Sequence, residues 1–226
     1  MSGGLDSTTL AYYMMAKGYS IIPVFFNYGS KHNPYEWNAI QLVMNRIKQD
    51  FPDKVHESGF NLDITSAFSF HQSSLMMLSK NNIPEGYYND ETMKQTVVPG
   101  RNLTFIAMMA GIAESKGYDM VAVGAHSGDH HIYPDCRPRF FKHAKRAVYE
   151  STEGKVTLAF PFLHYDKAKI VRWGLETNPR VPYELTRTCY KNQADACGKC
   201  GACQERKEAF IKNNTRDLIR YETDME

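Results

Sequence analysis

Ser2-Gly3-Gly4-Leu5-Asp6-Ser7 follows a single methionine and runs straight into a segment of helical composition that reaches Lys17, with Gly18 as its stop. Glycines let the backbone approach an anion, the serine hydroxyls add donors, and the first turn of the following helix offers free N–H groups. An oxyanion is expected to bind there, with Ser2, Gly3, Gly4, Leu5, Asp6, Ser7 and Thr8 around it. The loop is not a Walker A motif, because the G-x-x-x-x-G-K-[ST] pattern needs a lysine that is absent. An aspartate beside phosphates is repelled unless a cation intervenes.

Outward from the loop, strand-like and helix-like segments alternate. Ile21–Asn27 reads as a buried strand, with Pro23 placing it early or at an edge. Asn33-Pro34 starts a helix whose stripe is Trp37, Ile40, Val43, Met44 and Ile47. A short strand near Val55 and a helix over Phe68–Leu78 are expected, then a loop rich in Asn, Pro, Gly and Tyr. Asn102 is expected to cap a helix reaching Lys116, apolar around most of its girth and therefore buried, with a subunit interface as one way to cover it. A strand over Asp119–Val123, a basic helix to Glu150, a strand over Val156–Phe160 and a helix over Asp166–Leu175 follow. The alternation predicts an α/β fold with a doubly wound parallel sheet.

The 226 residues suit one domain or a domain with an appendage, and 42% apolar content is enough for a packed core. With 27 basic against 25 acidic residues, the net charge of +2 makes no field that demands nucleic acid or an anionic membrane. No apolar run approaches the ~20 residues of a membrane span and no secretory pattern is present, so the cytoplasm is the expected compartment.

Four of the five cysteines, Cys189, Cys197, Cys200 and Cys203, form C-x7-C-x2-C-x2-C. Four thiolates at this spacing suit a closed tetrahedral Zn2+ site, with an iron–sulfur cluster as the rival occupant. A closed site does not activate water, so its expected role is structural. Cys136 stands alone in Tyr133-Pro134-Asp135-Cys136-Arg137, either as a small buried hydrophobe or as part of a polar site. His126, His130 and His131 cluster here; the neighbouring histidines lack the spacing of a helical metal pair, and His126 or His130 is read as a pocket residue.

The loop SGGLDS resembles the pyrophosphate loop of the N-type ATP pyrophosphatases, of the adenine nucleotide alpha hydrolase-like fold, which activate a substrate carbon as an adenylate. Val98-Pro99-Gly100-Arg101-Asn102, Tyr133-Pro134-Asp135-Cys136-Arg137, Asp166-Lys167-Ala168 and Thr188-Cys189-Tyr190 follow it in order, and together they resemble the QueC family. The resemblance implies an ATP-dependent carbon–nitrogen ligase that makes 7-cyano-7-deazaguanine from 7-carboxy-7-deazaguanine and ammonia, through an amide. It implies catalytic roles for Asp6, which would help hold Mg2+, and for Arg101 and Lys167, with Arg137 a further cation and Lys142 a weaker one, and substrate contacts from Tyr28, Asp129, Tyr133, Asp135 and Arg137. Phe140 is a further candidate for ring stacking. Ser127-Gly128-Asp129 stands where other members often carry Glu-Thr-Asp.

A loop of this family normally follows the first strand of the sheet, whereas only Met1 precedes Ser2, so that strand is expected to be missing. The division expected is a nucleotide domain over 1–180 and a zinc-binding segment over 181–226. A homodimer with small-molecule substrates and no direct nucleic-acid partner completes the expectation. A related adenylating enzyme acting on a tRNA or protein acceptor, or an inactive zinc-binding module, are the other readings.

Overall fold

In the computed structural model, which describes residues 1–55, 59–87 and 93–224, the chain divides into two units, residues 1–97 with 167–226 and residues 98–166.

In the first unit, helix α1 (Leu5–Ala16) leads to strand β1 (Val24–Asn27), helix α2 (Asn33–Asp50) and strand β2 (Phe60–Asp63). β1 and β2 pair in parallel, from Val24 opposite Phe60 to Asn27 opposite Asp63. Parallel neighbours need a long crossover, which α2 supplies. Pro34 sits in the first turn of α2, where its missing N–H costs nothing. Ile40, Val43, Met44 and Ile47 are buried along the expected stripe, and Trp37 meets Phe25 at a ring separation of 5.4 Å. Asn33 is the first residue of α2, and its Oδ1 accepts from Tyr28 N and Ser30 N, closing the turn after β1. Beyond β1, the Met1 amino group donates to the Val24 carbonyl.

Two expectations here need correction. Val55 makes only an isolated bridge to Ile21, and the partner strand is β2, whose Phe60 and Leu62 alternate with exposed Asn61 and Asp63. Helix α3 covers only Thr65–Phe68, so 69–78 is not helical. The Ser73 and Ser74 hydroxyls donate to the Gln95 carbonyl at 3.3 and 2.9 Å, an alternative to helix that serines readily take.

The second unit holds helix α4 (Arg101–Lys116), strand β3 (Met120–Ala122), helix α5 (Pro138–Ser151) and strand β4 (Thr157–Ala159). β3 and β4 are parallel, Val121 opposite Leu158. Phe141, Ala144 and Val148 of α5 pack with Ile106, Ala110 and Ala113 of α4 against Val121 and Leu158. Gly100, with φ +69°, and not Asn102, occupies the N-cap of α4. Only Ile106, Ala110 and Ala113 of α4 are buried, and Leu103 is 53% exposed, so the expected burial around the whole helix is not met within the chain.

The first unit closes with helix α6 (Lys167–Glu176) and helix α7 (Gly201–Ile211), the latter absent from the sequence reading. The fold is α/β. Among the described residues its strands form two two-stranded parallel sheets. No described helix is long and apolar enough to cross a membrane.

Candidate nucleotide and metal sites

The loop before α1 is held by the chain itself. Gly3 takes φ +69°, and a Cβ there would lie 2.8 Å from Ile40 N and 3.0 Å from Ala39 Cβ, so only glycine fits against α2. Gly4 is the N-cap of α1 and offers no side-chain cap, which leaves first-turn N–H groups for an anion. The Ser2 hydroxyl lies 3.2 Å from the Ser7 hydroxyl and accepts from Gly4 N at 3.2 Å, while Ser7 Oγ also donates to Gly4 O. Leu5 points into the core, 1% exposed. Thr8 is fully buried and its Oγ1 has no protein partner among the described residues, a donor that suits a phosphate oxygen. The residues present fit a nucleotide phosphate.

Lys167, the first residue of α6, brings its ammonium to 3.5 Å from Asp6 Oδ2 and 2.5 Å from Glu205 Oε2. It is 7% exposed, so two carboxylates hold a desolvated cation beside the phosphate loop. Glu205 was not anticipated from the sequence. Its position two residues after Cys203 is the only sequence signal that could have drawn attention to it. Tyr28 is buried, with its hydroxyl 3.2 Å from His32 Nε2 and its ring against Phe68.

The second unit gathers a different group of the expected residues. Asn102 N donates to Asp135 Oδ2 at 2.9 Å, and Asn102 Nδ2 donates to Asp135 O and to Cys136 Sγ. Asn102 is therefore a tether for the 134–136 turn. Burial, then Asp129 and Asp135, pushes the Cys136 thiol well above its usual range, which makes it an inert packed group. The Arg101 guanidinium lies over the Tyr133 ring at 5.9 Å. Asp129 Oδ2 is 3.5 Å from His126 Nε2, and Arg137 Nε donates to His130 O. Burial, aided by His126, His164, His131 and Arg137, lowers the His130 pKa. Phe140 packs edge-on to Phe141, and Lys142 is exposed on α5.

Cys189, Cys197, Cys200 and Cys203 are all buried, with their sulfurs within 4.8 Å of one another. A tetrahedron with Zn–S bonds of about 2.3 Å has edges of about 3.8 Å, and the Cys197 and Cys203 sulfurs are 3.9 Å apart. Cys200 is the N-cap of α7 and Cys203 lies in its first turn. Backbone N–H groups of Lys191, Lys199, Cys197 and Cys200 point at Cys189 or Cys197 sulfur within 3.4 Å, which favours thiolates. The four residues fit Zn2+.

The chain is similar in sequence to known proteins over nearly its whole length. The family described as "Queuosine biosynthesis protein QueC" matches residues 1–214. A 7-cyano-7-deazaguanine synthase of Caldicellulosiruptor bescii is 39% identical over 226 residues, covering 100% of this chain and 97% of that protein. The synthase of Pseudoalteromonas atlantica is 41% identical over 98% of this chain and 96% of its own length. That of Methanoregula boonei is 36% identical, with 98% and 97% covered. With a family match over nearly its whole length, the chain belongs to the QueC family.

Proposed function

We infer that this chain is an ATP-dependent 7-cyano-7-deazaguanine synthase, converting 7-carboxy-7-deazaguanine and ammonia to the nitrile. The observation that carries the reading is the family match over residues 1–214, which takes in the phosphate loop and all four clustered cysteines.

The chemistry explains why such residues are needed. A carboxylate is a poor electrophile, because oxide is not a leaving group. Transfer of an adenylyl group from ATP makes its oxygen part of a phosphate and releases pyrophosphate. Ammonia then attacks the acyl carbon, AMP leaves, and an amide remains. A second adenylation, on the amide oxygen, lets that oxygen depart with AMP as two protons leave nitrogen, giving the nitrile. Both activations build charge on phosphate oxygens, which positioned donors and cations stabilise.

Ser2, Gly3, Gly4, Leu5, Ser7 and Thr8 are assigned to the phosphates through backbone N–H groups and hydroxyls. Asp6 is assigned to Mg2+, which would neutralise pyrophosphate as it departs. Lys167, already oriented by Asp6 and Glu205, is assigned to phosphate charge. In the second unit, Arg101 is assigned to developing negative charge, and Asp129, Tyr133, Asp135 and Arg137 to the deazaguanine. Tyr28 contributes through its position after β1. Zn2+ at the four cysteines supplies structure and no open coordination position.

The wider architecture we assign is a doubly wound, adenine nucleotide alpha hydrolase-like sheet over 1–180 with 181–226 as the zinc-binding appendage. The working form we assign is a cytoplasmic homodimer acting on small molecules. The exposed Leu103 on α4 supports a further contact surface.

Pyrophosphate release from metal-loaded protein tests the activity. It is expected to require 7-carboxy-7-deazaguanine and an ammonium salt together, and no release above background overturns the assignment. Asp6→Asn is expected to slow release by roughly 10²-fold, the usual scale for losing one electrostatic contribution of this kind.

A further inference from the structure

We propose that Arg187 is a positioning residue through which the four-cysteine metal site holds the phosphate loop in its binding conformation. The proposal rests on the nucleotide reading of that loop given above.

Arg187 faces two ways. Its backbone N–H donates to the Gly3 carbonyl at 2.9 Å, and its own carbonyl lies 3.1 Å from where a Gly4 Cβ would stand. The two backbones are therefore in direct contact across the two glycines of the loop. Its guanidinium meanwhile donates to Lys191 O at 2.9 Å, Gln193 O at 2.7 Å and Ala194 O at 2.6 Å. These carbonyls all lie in the span between Cys189 and Cys197, the widest gap in the ligand set. The Tyr35 ring of α2, 4.8 Å from the guanidinium carbon, covers its face.

A planar fork bonded to three carbonyls is satisfied only while those carbonyls converge. Metal at the four sulfurs closes the span that presents them. When the span opens, the fork loses its partners, and the backbone N–H that pins Gly3 loses its anchor. A second tie points the same way. Helix α7, which begins at the cluster, carries Glu205, and Glu205 holds Lys167 beside Asp6. The sulfur cluster is thus joined to the phosphate loop at Gly3 by backbone and at Asp6 by charge.

Coupling between two binding sites is reciprocal, so ATP must tighten metal by the same factor by which metal tightens ATP. The expected factor is about tenfold, inside the usual 5–150-fold range. One arm uses wild-type holoprotein, with Zn2+ affinity measured by chelator competition with and without ATP. The other arm measures ATP Kd by calorimetry for metal-loaded wild type, Arg187→Ala and Arg187→Lys, with bound Zn2+ and far-ultraviolet circular dichroism checked for each.

ATP is expected to tighten Zn2+ about tenfold in wild type. In both variants, Zn2+ bound and fold kept, ATP is expected to bind about tenfold more weakly and the Zn2+ response to shrink to what the Glu205–Lys167 tie carries. In turnover, KM for ATP rises and KM for the deazaguanine does not. ATP binding with no change in Zn2+ affinity overturns this proposal and leaves the synthase assignment standing. No ATP binding to metal-loaded wild type overturns both. The wild-type arm can overturn the proposal even where a variant fails to fold.

Discussion

Replacing Arg206 with methionine removes a cation that is wholly buried and whose every donor is engaged. Nε and Nη2 donate to the two oxygens of Asp217 at 2.6 and 3.0 Å, Nη2 also donates to Tyr183 O at 2.9 Å, and Nη1 donates to the Thr186 and Thr188 hydroxyls at 2.7 and 3.1 Å. Asp217 is itself only 6% exposed and is left without its counter-charge. Methionine matches the bulk of the stem, so little of the loss is cavity. Breaking a buried pair on one side costs about 3–5 kcal/mol. At roughly 2–4 °C per kcal/mol for a chain of this size, the midpoint should fall by roughly 6–20 °C. Arg206→Met combined with Asp217→Leu removes the stranded carboxylate and is expected to recover about half of that loss or more. Thermal denaturation of zinc-loaded protein, followed by circular dichroism, measures both. A fall below about 2 °C for the single variant, or a double variant no more stable than the single, would refute the idea that a desolvated charge pair anchors this segment.

Gly3→Ala must adopt left-handed backbone, costing about 1–2 kcal/mol, and crowds Ile40 N and Ala39 Cβ, adding about 1–3 kcal/mol. Gly4, with φ −75° and nearest contacts at 3.1 Å, should tolerate alanine better. Urea unfolding that ranked Gly4→Ala as the more damaging change would contradict the packing described for the loop. His130 has a folded-state pKa below its unfolded value near 6.5, so the folded protein prefers it neutral. Stability from this group is complete above that value and falls as the pH drops, and His130→Gln should flatten the decline in thermal midpoint between about pH 6.5 and 5. A steeper decline in the variant would reverse the assigned sign. All five cysteines are free thiols in the chain and all are buried. A thiol reagent at neutral pH should find almost none in zinc-loaded protein. After chelation, the four clustered cysteines should react ahead of Cys136, and early modification of Cys136 would show its environment to be open.

Local sequence decided a good deal. The phosphate loop and the four-cysteine spacing were legible because each needs particular residue types a few positions apart, and chain connectivity alone brings them together. The stripe of α2 was legible for the same reason, since helical period turns sequence spacing into a face. β2 was missed although Phe60 and Leu62 do alternate with Asn61 and Asp63, because four residues of mixed polarity give only a weak local signal. The helix expected over 68–78 yielded to serine bonds to Gln95, some twenty residues away, which no local window contains.

What only the tertiary structure decided is the standing of the charged residues. By composition Glu205, Arg206 and Arg187 read as solvated side chains, since arginine and glutamate mostly lie at the surface. Folding placed one against Lys167, closed another around Asp217 and bound the third to three carbonyls of the cysteine loop. A charge is buried only when its partners converge on it, and those partners come from segments far apart in the chain. Residue type and spacing therefore fixed the chemistry available at the loop and the sulfur cluster, and long-range packing fixed how the two are joined.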